Sequence, residues 1–448
     1  MNKFLQFFAT GKDIPQIKDS AEINSLYKKN RMKVLLSITF GYGLLYTSRL
    51  ALSIVKKPLI DGGIFDANDL GLIGSGIFYG YAFGKLINGV IADHVNAKRF
   101  MAVGIFMSAI VNLLMGWTIL LWLWIVLWAI NGWFQGYGAP SSVVSLTNWF
   151  SNRERGRYYG IWSSSHSIGE GLTFVVIAAF VSYFGWQAGF ITPGILGIFV
   201  ALAVYYFLQD RPQTLGLPPI ADWTNDHAEP IKEKPVKNTF HSQLKILKMP
   251  SIWIIGLASA TMYITRYAIS SWGILYLQEE KGFSLIEAGS ILGVHTIAGI
   301  VGCIAYGYIS DKMFHAKRPP VTLIFGLLEI LAISVIFFGP EGNTVLLTAA
   351  FILYGFTLSG LLAVLGGLFA VDIAPKNASG AVLGFIGVFS YLSAAMQEQI
   401  SGFLIENGKT VIDGVNKYDF SNVLIFWVGA SVVSMILAAS LWRVKISD

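Results

Sequence analysis

The feature that most constrains this chain is a series of long apolar stretches that carry almost no charge. A helix needs about 20 apolar residues to cross a bilayer, and most of the stretches reach that length. They cover residues 35–55, 70–92, 101–122, 123–149, 160–184, 188–208, 252–277, 288–309, 321–338, 345–371, 381–400 and 423–441. Only 13% of the 448 residues are charged, against about a quarter in an ordinary soluble domain. The sequence therefore predicts an all-α membrane protein with twelve transmembrane helices.

The positions of the basic residues predict how the chain is oriented. Lysine and arginine cluster before residue 34, around 98–99, 153–157, 211–248 and 312–318, and after residue 442. With twelve crossings all of these segments lie on one side, and Lys56 and Lys57 are the main exceptions on the other. Because cytoplasmic loops carry the excess of basic residues, we expect both termini to be cytoplasmic. Orientation accounts for the net charge of +6, so no nucleic-acid partner is expected.

Three short motifs recur in the same order in the two halves of the chain. "YTSR" at 46–49 returns as "YITR" at 263–266, "GVIAD" at 89–93 as "GYISD" at 307–311, and "GRYYG" at 156–160 as "GAVLG" at 380–384. This repetition indicates a parallel duplication, which places a shared site between the halves near the membrane midplane. We expect an N-terminal six-helix bundle over 1–208, a cytoplasmic linker over 209–250 and a C-terminal six-helix bundle over 251–448.

Each half places one arginine inside an apolar stretch. Such a charge costs about 2.5–3.5 kcal/mol at the centre of a membrane helix and usually marks a substrate path. Tyr42 and Tyr46 share a helix face with Arg49, and Tyr263 shares one with Arg266. Neither face carries a carboxylate. The two arginines are therefore predicted to bind one divalent anion, and phosphate fits because a guanidinium binds it through two parallel hydrogen bonds.

The alternative is that each arginine pairs with a distant acid within the membrane, the candidates being Glu170, Glu329 and Glu398. Lys85 is a further cation within an apolar stretch, and it either contributes to the site or extends toward Asp93 and the cytoplasm.

Three other polar residues are candidates for the site. His166 has Glu170 four residues later on the same helix face, which favours a polar site around the imidazole. Glu398 follows Tyr391 by seven residues on one face, and its carboxylate either accepts hydrogen bonds from sugar hydroxyls or holds helices together. Glu329 and His295 receive no role from the sequence.

The chain contains none of the motifs that would indicate an enzyme. It has no Gly-x-x-x-x-Gly-Lys-Ser/Thr loop for nucleotide phosphates, no His-Glu-x-x-His, and a single cysteine, Cys303. We therefore expect no enzymatic activity, no cofactor and no bound metal. Any active transport would be driven by the gradient of a second solute.

Longer motifs resemble those of a known family. "GVIADHVNAKR" and "GYISDKMFHAKR" are similar to the loop signature of the major facilitator superfamily. "FGYGLLYTSR", "NGWFQGYGAP", "DRPQTLGLPP" and "YITRYAISSWG" resemble its organophosphate:phosphate antiporter family. The most similar branch is that of the bacterial sugar-phosphate sensors and hexose-phosphate transporters.

This resemblance implies the major facilitator fold, with two six-helix bundles that rock around a central site and exchange inorganic phosphate for an organic phosphate. The residues that match the family's substrate-binding positions are Arg49, Arg266, Lys85, His166, Tyr42, Tyr46, Tyr263, Tyr391 and Gln135. The chain departs from the family at Leu50, at Ser163, and at His295, where a glutamate is common. These departures concern the organic end of the substrate and leave the phosphate end intact.

The leading hypothesis is thus a secondary antiporter that exchanges a sugar phosphate, such as glucose 6-phosphate, for inorganic phosphate. The main alternative is a membrane receptor for the same ligand that signals to a histidine kinase, and a third is a drug or sugar carrier unrelated to phosphate. We expect a monomer in a lipid bilayer, in the bacterial inner membrane.

Overall fold

Long helices make up almost all of the chain. The computed structural model describes residues 3–226, 246–315, 317–340, 342–374, 379–412 and 415–442. The first part contains α1 (Lys3–Phe8), α2 (Ser20–Asp61), α3 (Ala67–Ala92), α4 (Ala97–Met115), α5 (Leu121–Gln135), α6 (Gly138–Trp149), α7 (Arg153–Phe184), α8 (Ala188–Phe207) and the short α9 (Ile220–Thr224).

The second part follows residue 246. It contains α10 (Pro250–Glu279), α11 (Leu285–Met313), α12 (Arg318–Phe338), α13 (Thr344–Ile373), α14 (Ser379–Asn407) and α15 (Ser421–Ser440). Between the last two helices, β1 (Lys409–Ile412) and β2 (Val415–Tyr418) form an antiparallel hairpin. The expected linker over 209–250 stays a prediction, because residues 227–245 of it lie outside the described residues.

Eleven of the described helices are long and apolar enough to cross a membrane. They correspond to the expected spans except for the fourth, where the apolar stretch forms two shorter helices, α5 and α6, that meet at Gly136 and Tyr137. A Cβ on Gly136 would lie 3.0 Å from the backbone carbon of Gly84 and 2.9 Å from the side chain of Asn88. The break therefore falls where a glycine allows α3 to approach closely.

The polar residues before the helices explain where several of them begin. Asp66 and Asp69 cap the start of α3 reciprocally, each side chain accepting a hydrogen bond from the backbone of the other. Ser284 and Glu287 form the same arrangement at α11. Such caps satisfy backbone N–H groups that have no partner in the first turn, and each stabilises a helix by about 1 kcal/mol.

A stripe of glycines on α3 forms the contact with α5. A Cβ on Gly80 would lie 2.0 Å from the carbonyl oxygen of Ala129, and one on Gly76 would lie 2.9 Å from that of Ile125. Only glycine fits at such distances, as expected where small residues bring membrane helices together. The close approach of α3 to α5 brings Tyr81 to the same region as Gln135.

The helices close on one side of the molecule and diverge on the other. On the closed side the backbones of α3 and α14 touch at Gly71 and Gly402, and Lys57 of α2 forms an ion pair with Glu279 of α10. On the other side, a Cβ on Gly160 of α7 would have no atom within 4 Å. The open side carries the N-terminal segment, since Asn96 donates a hydrogen bond to the carbonyl of Phe8. That this side is cytoplasmic stays a prediction.

Candidate functional site

Arg49 is buried near the middle of α2, with 4% of its surface exposed. Its Nε donates a hydrogen bond to Oε1 of Gln135 at 2.8 Å. Its guanidinium lies 4.2 Å from the ring centroid of Tyr81 and 4.8 Å from that of Tyr46, and ring faces attract a cation. Nη1 has no hydrogen-bond partner, and no described carboxylate forms an ion pair with this arginine. The positive charge is buried and only partly compensated.

Gln135 is oriented by other buried polar side chains where α5 ends. Its Nε2 donates to Oδ1 of Asn131 at 3.4 Å, and Nδ2 of Asn131 donates to the carbonyl of Ser48 at 3.4 Å. Ser108 donates to the same Oδ1 of Asn131. These bonds fix the amide so that its oxygen faces the guanidinium. The resemblance alone suggested Gln135, and the structure places it against Arg49.

Arg266 occupies the corresponding position on α10, with 9% of its surface exposed. Its guanidinium lies 5.3 Å from the ring centroid of Tyr267 and 5.6 Å from that of Tyr263. Immediately after it, residues 268–272 form a π-helical turn, a distortion that is frequent at functional sites. Like Arg49, it is a buried cation among tyrosine rings, and no described acid forms an ion pair with it.

The three acids within the membrane take other positions. Oε2 of Glu398 accepts a hydrogen bond from Nζ of Lys56 at 3.1 Å, with both side chains fully buried. Glu329 accepts one from Ser431. Glu170 lies in a recess that also contains Arg266, but among the described residues it forms neither a hydrogen bond nor an ion pair. Among the described residues neither arginine forms an ion pair with one of these acids, although Glu170 shares a recess with Arg266 and Glu398 shares one with Arg49.

A cavity of about 600 Å³ lies between the two halves. Its wall includes Tyr46, His166, Tyr263, Arg266, Cys303 and Tyr391. Arg49 lies behind the ring of Tyr46, which separates it from this space. The wall of the cavity thus combines tyrosine rings with serine and aliphatic side chains and one arginine, and the cavity is large enough for a small molecule.

Tyr391 joins the two halves at the cavity wall. Its ring centroid lies 4.6 Å from that of Tyr81 and 5.6 Å from that of Tyr263. Nζ of Lys85 lies 5.4 Å from the same ring, and Lys85 itself is exposed. Among the described residues it forms no ion pair with Asp93. Lys85 thus lies beside an aromatic ring of the opposite half that forms part of the cavity wall.

Tyr42 and His166 lie next to Tyr46. The ring of Tyr42 is 5.5 Å from that of Tyr46 and 5.0 Å from that of Trp162, and it is buried beside the cavity. The imidazole of His166 is 5.6 Å from the ring of Tyr46. Its Nδ1 donates to the carbonyl of Ser163, so the histidine is held by its own helix and not by Glu170.

The sequence did not indicate the partner of Glu398. Nζ of Lys56 also donates to Oγ of Ser271 at 2.9 Å and lies 3.2 Å from the ring centroid of Trp272. A Cβ on Gly74 would lie 2.6 Å from the carboxylate of Glu398, so a glycine is needed where α3 passes. Glu398 therefore belongs to the closed side and not to the wall of the large cavity. The available signal was that Lys56 follows Arg49 by two helical turns, on the same face.

Comparison with known proteins gives a consistent result. The family model described as Major Facilitator Superfamily matches residues 38–397. The membrane sensor protein UhpC of Salmonella typhimurium is 32% identical over 395 residues, covering 88% of this chain and 89% of that protein. A probable hexose phosphate transport protein of Chlamydia pneumoniae is 32% identical, covering 88% and 89%. The glycerol-3-phosphate transporter of Bacillus subtilis is 31% identical, covering 98% of each.

Among solved structures, a bacterial homologue of the human lysosomal transporter Spinster, in an inward-facing and unoccupied conformation, superposes with a TM-score of 0.75. The two chains are 15% identical, and the match covers 94% of this chain and 99% of that one. At this level of identity the likeness concerns the fold alone.

Proposed function

The chain belongs to the major facilitator superfamily and to its organophosphate:phosphate antiporter branch, and we propose that it exchanges a sugar phosphate for inorganic phosphate. It is a multi-pass membrane protein, and its relatives of about 30% identity bear the names of a sugar-phosphate transporter, a glycerol-phosphate transporter and a sensor. Glucose 6-phosphate is the substrate that we propose to test first.

The observation that carries this proposal is the presence of two buried guanidiniums that form no ion pair with an acid among the described residues. Arg49 contacts the ring of Tyr46, and Tyr46 shares the cavity wall with Arg266. A phosphate group carries a charge of about −1.5 to −2 at pH 7. In a state where Tyr46 no longer separates Arg49 from the cavity, one phosphate bound between the arginines neutralises both. Its oxygens then accept the hydrogen bonds that Nη1 of Arg49 lacks.

The same charges explain why transport would take the form of exchange. A cavity that closes without a ligand buries two guanidiniums that have no ion pair among the described residues, at an effective cost of several kcal/mol for each. A cavity that closes around a dianion avoids this cost. The loaded carrier therefore changes its open side readily and the empty one does not, so one phosphate compound must leave for another to enter.

The test uses purified protein in vesicles loaded with phosphate. Uptake of labelled glucose 6-phosphate should require internal phosphate and should fall at least about 100-fold in Arg49→Lys and Arg266→Lys, because lysine cannot bind phosphate bidentately. Arg153→Lys is the matched control, since that side chain is 79% exposed and pairs with Asp226. Uptake that persists in either buried variant, or that ignores internal phosphate, contradicts the proposal.

The second candidate function is a receptor that binds the sugar phosphate and signals to a histidine kinase. The similarity to a protein named as a membrane sensor favours it. Turnover in vesicles separates the two, because a receptor that only binds gives saturable binding without net uptake. If inorganic phosphate inhibits binding of the sugar phosphate, the third candidate, a carrier of drugs or unphosphorylated sugars, is excluded. A site for such compounds would not bind that ion.

A further inference from the structure

A polar recess extends from the cavity at Arg266 into the interface between α7 and α11. We define it by Ser167, Glu170, Ser270, His295 and Thr296, which line it together with Arg266. Its volume of about 20 Å³ is enough for one water molecule or one hydroxyl group. It shares His166, Ser167 and Arg266 with the wall of the cavity, so a ligand bound at Arg266 reaches it directly.

Glu170 is the member of the recess that most needs a partner. Only 8% of its surface is exposed, and no described residue donates a hydrogen bond to its carboxylate. A buried charged group without such bonds is costly, so it is normally paired or bonded to a ligand. Glu329 and Glu398, the other acids within the membrane, are each bonded to a protein group. Glu170 is the exception among the three.

Three other groups of the recess also present acceptors. Nδ1 of His295 is bonded to the carbonyl of Leu292 and must donate there, because a carbonyl only accepts; Nε2 of the neutral ring is then an acceptor. The hydroxyl of Ser270 donates to the carbonyl of Arg266, and that of Thr296 donates to the carbonyl of Gly293. Their oxygens are left with free lone pairs. The recess therefore suits a ligand group that donates hydrogen bonds.

We propose that Glu170 and His295 are specificity-determining residues that bind hydroxyl groups at the organic end of the phosphate ester. This inference rests on the proposed function, since it takes the phosphate to lie at the arginines. A sugar or polyol supplies O–H groups that donate to the free acceptors of Glu170 and His295. A second anionic group on the ligand is rejected, because a carboxylate or phosphate would meet the charge of Glu170 in a poorly solvated space. The substrate class is thus a phosphate ester with a neutral, hydroxyl-rich organic group.

The experiment measures exchange of labelled inorganic phosphate in vesicles and its inhibition by three esters: glucose 6-phosphate, glycerol 3-phosphate and 3-phosphoglycerate. The wild type should be inhibited more strongly by the first two. In Glu170→Gln the preference for hydroxyl-rich esters over 3-phosphoglycerate should fall at least about tenfold, since hydrogen bonds to a charged group are lost and its repulsion is removed. His295→Phe, which removes the Nε2 acceptor, should weaken the hydroxyl-rich esters more than inorganic phosphate.

Glu329→Gln is the matched control, because Glu329 is an equally buried acid that bonds to Ser431 away from the cavity. Its ester preference should equal that of the wild type. A wild type without phosphate exchange would defeat the proposed function itself. Wild-type exchange with an unchanged ester preference in both Glu170→Gln and His295→Phe would overturn this inference alone. The two variants test the recess independently, so one that does not fold leaves the other to decide.

Discussion

Arg49 and Lys56 lie two turns apart on one face of α2, yet only Lys56 forms an ion pair among the described residues. Lys56 is fully buried and is paired with Glu398, a hydroxyl and an aromatic ring. Arg49 is also buried, but it has only an amide oxygen and ring faces, and one of its nitrogens has no partner. The cation on the closed side, Lys56, is thus neutralised by an acid of the protein itself. A cation left without one retains its attraction for an anion that arrives with a ligand.

The largest effect is expected when the Lys56–Glu398 pair loses its anion. In Glu398→Ala the ammonium of Lys56 stays buried without its carboxylate, and the loss of one partner of such a pair costs about 3–5 kcal/mol. We expect a clearly lower Tm in thermal unfolding of the detergent-solubilised protein. Asp61→Ala removes an exposed partner of Lys57 and is the control. Equal Tm values for the two variants would show that the buried pair stabilises nothing.

The next largest effect is expected when a carboxylate is placed beside Arg49. Gln135→Glu places a carboxylate about where the amide oxygen now lies, 2.8 Å from Nε in the present structure. An attraction of about 4 kcal/mol is available for such a pair at an effective dielectric constant near 20. We expect the Kd for inorganic phosphate to rise about 100-fold, which corresponds to ~2.7 kcal/mol.

Gln135→Met is the control for that variant, because it removes the hydrogen bond without adding charge. Its Kd for phosphate, measured by isothermal titration calorimetry, should change less than that of Gln135→Glu. An undiminished affinity in Gln135→Glu would mean that Arg49 does not bind the phosphate.

The third prediction concerns how much added phosphate stabilises the wild type and the variant Arg266→Lys. A ligand at 100 times its Kd stabilises the native state by about 2.7 kcal/mol. The wild type should show the corresponding rise in Tm when phosphate is added, and Arg266→Lys should show little of it at the same concentration. A full rise in that variant would indicate that phosphate binds elsewhere on the protein.

The smallest effect is expected when both members of the paired site are replaced together. In Lys56→Met with Glu398→Met, no buried charge is left uncompensated, and such replacements are often neutral or stabilising. The free energy of unfolding should stay within about 1 kcal/mol of the wild type, and the rise in Tm with phosphate should persist. A double variant as unstable as Glu398→Ala would show that packing, and not charge, explains the single substitution.

Much of the architecture could be predicted from the sequence because it follows from local rules. The apolar stretches predicted the spans, and the repeated arginines predicted two equivalent cations. The break between α5 and α6 was not predicted, because an apolar stretch continues across Gly136 and only the neighbouring α3 reveals it. The bounds of α2 were not predicted either, because this helix begins at Ser20, well before the apolar stretch.

The site was predictable in part, and the missing part has a physical reason. Helical spacing identifies residues on one face, so Tyr46 with Arg49 and Tyr263 with Arg266 could be grouped. It cannot identify partners on different helices. Lys56 and Glu398 are separated by 342 positions, and Glu170 and His295 come together only because α7 packs against α11. The i,i+4 spacing of His166 and Glu170 suggested a pair, but Nδ1 of His166 is bonded to the carbonyl of Ser163, and no described residue bonds to the carboxylate of Glu170.

One practical consequence comes from Cys303. It is the only cysteine among the 448 residues, it is exposed, and it lies in the wall of the cavity. A single fluorescent maleimide can therefore be attached there without first removing other thiols. In sealed vesicles of known sidedness, the labelling of Cys303 by an impermeant maleimide would show to which side of the membrane the cavity is open. The rate of labelling would show how often the cavity opens to that side.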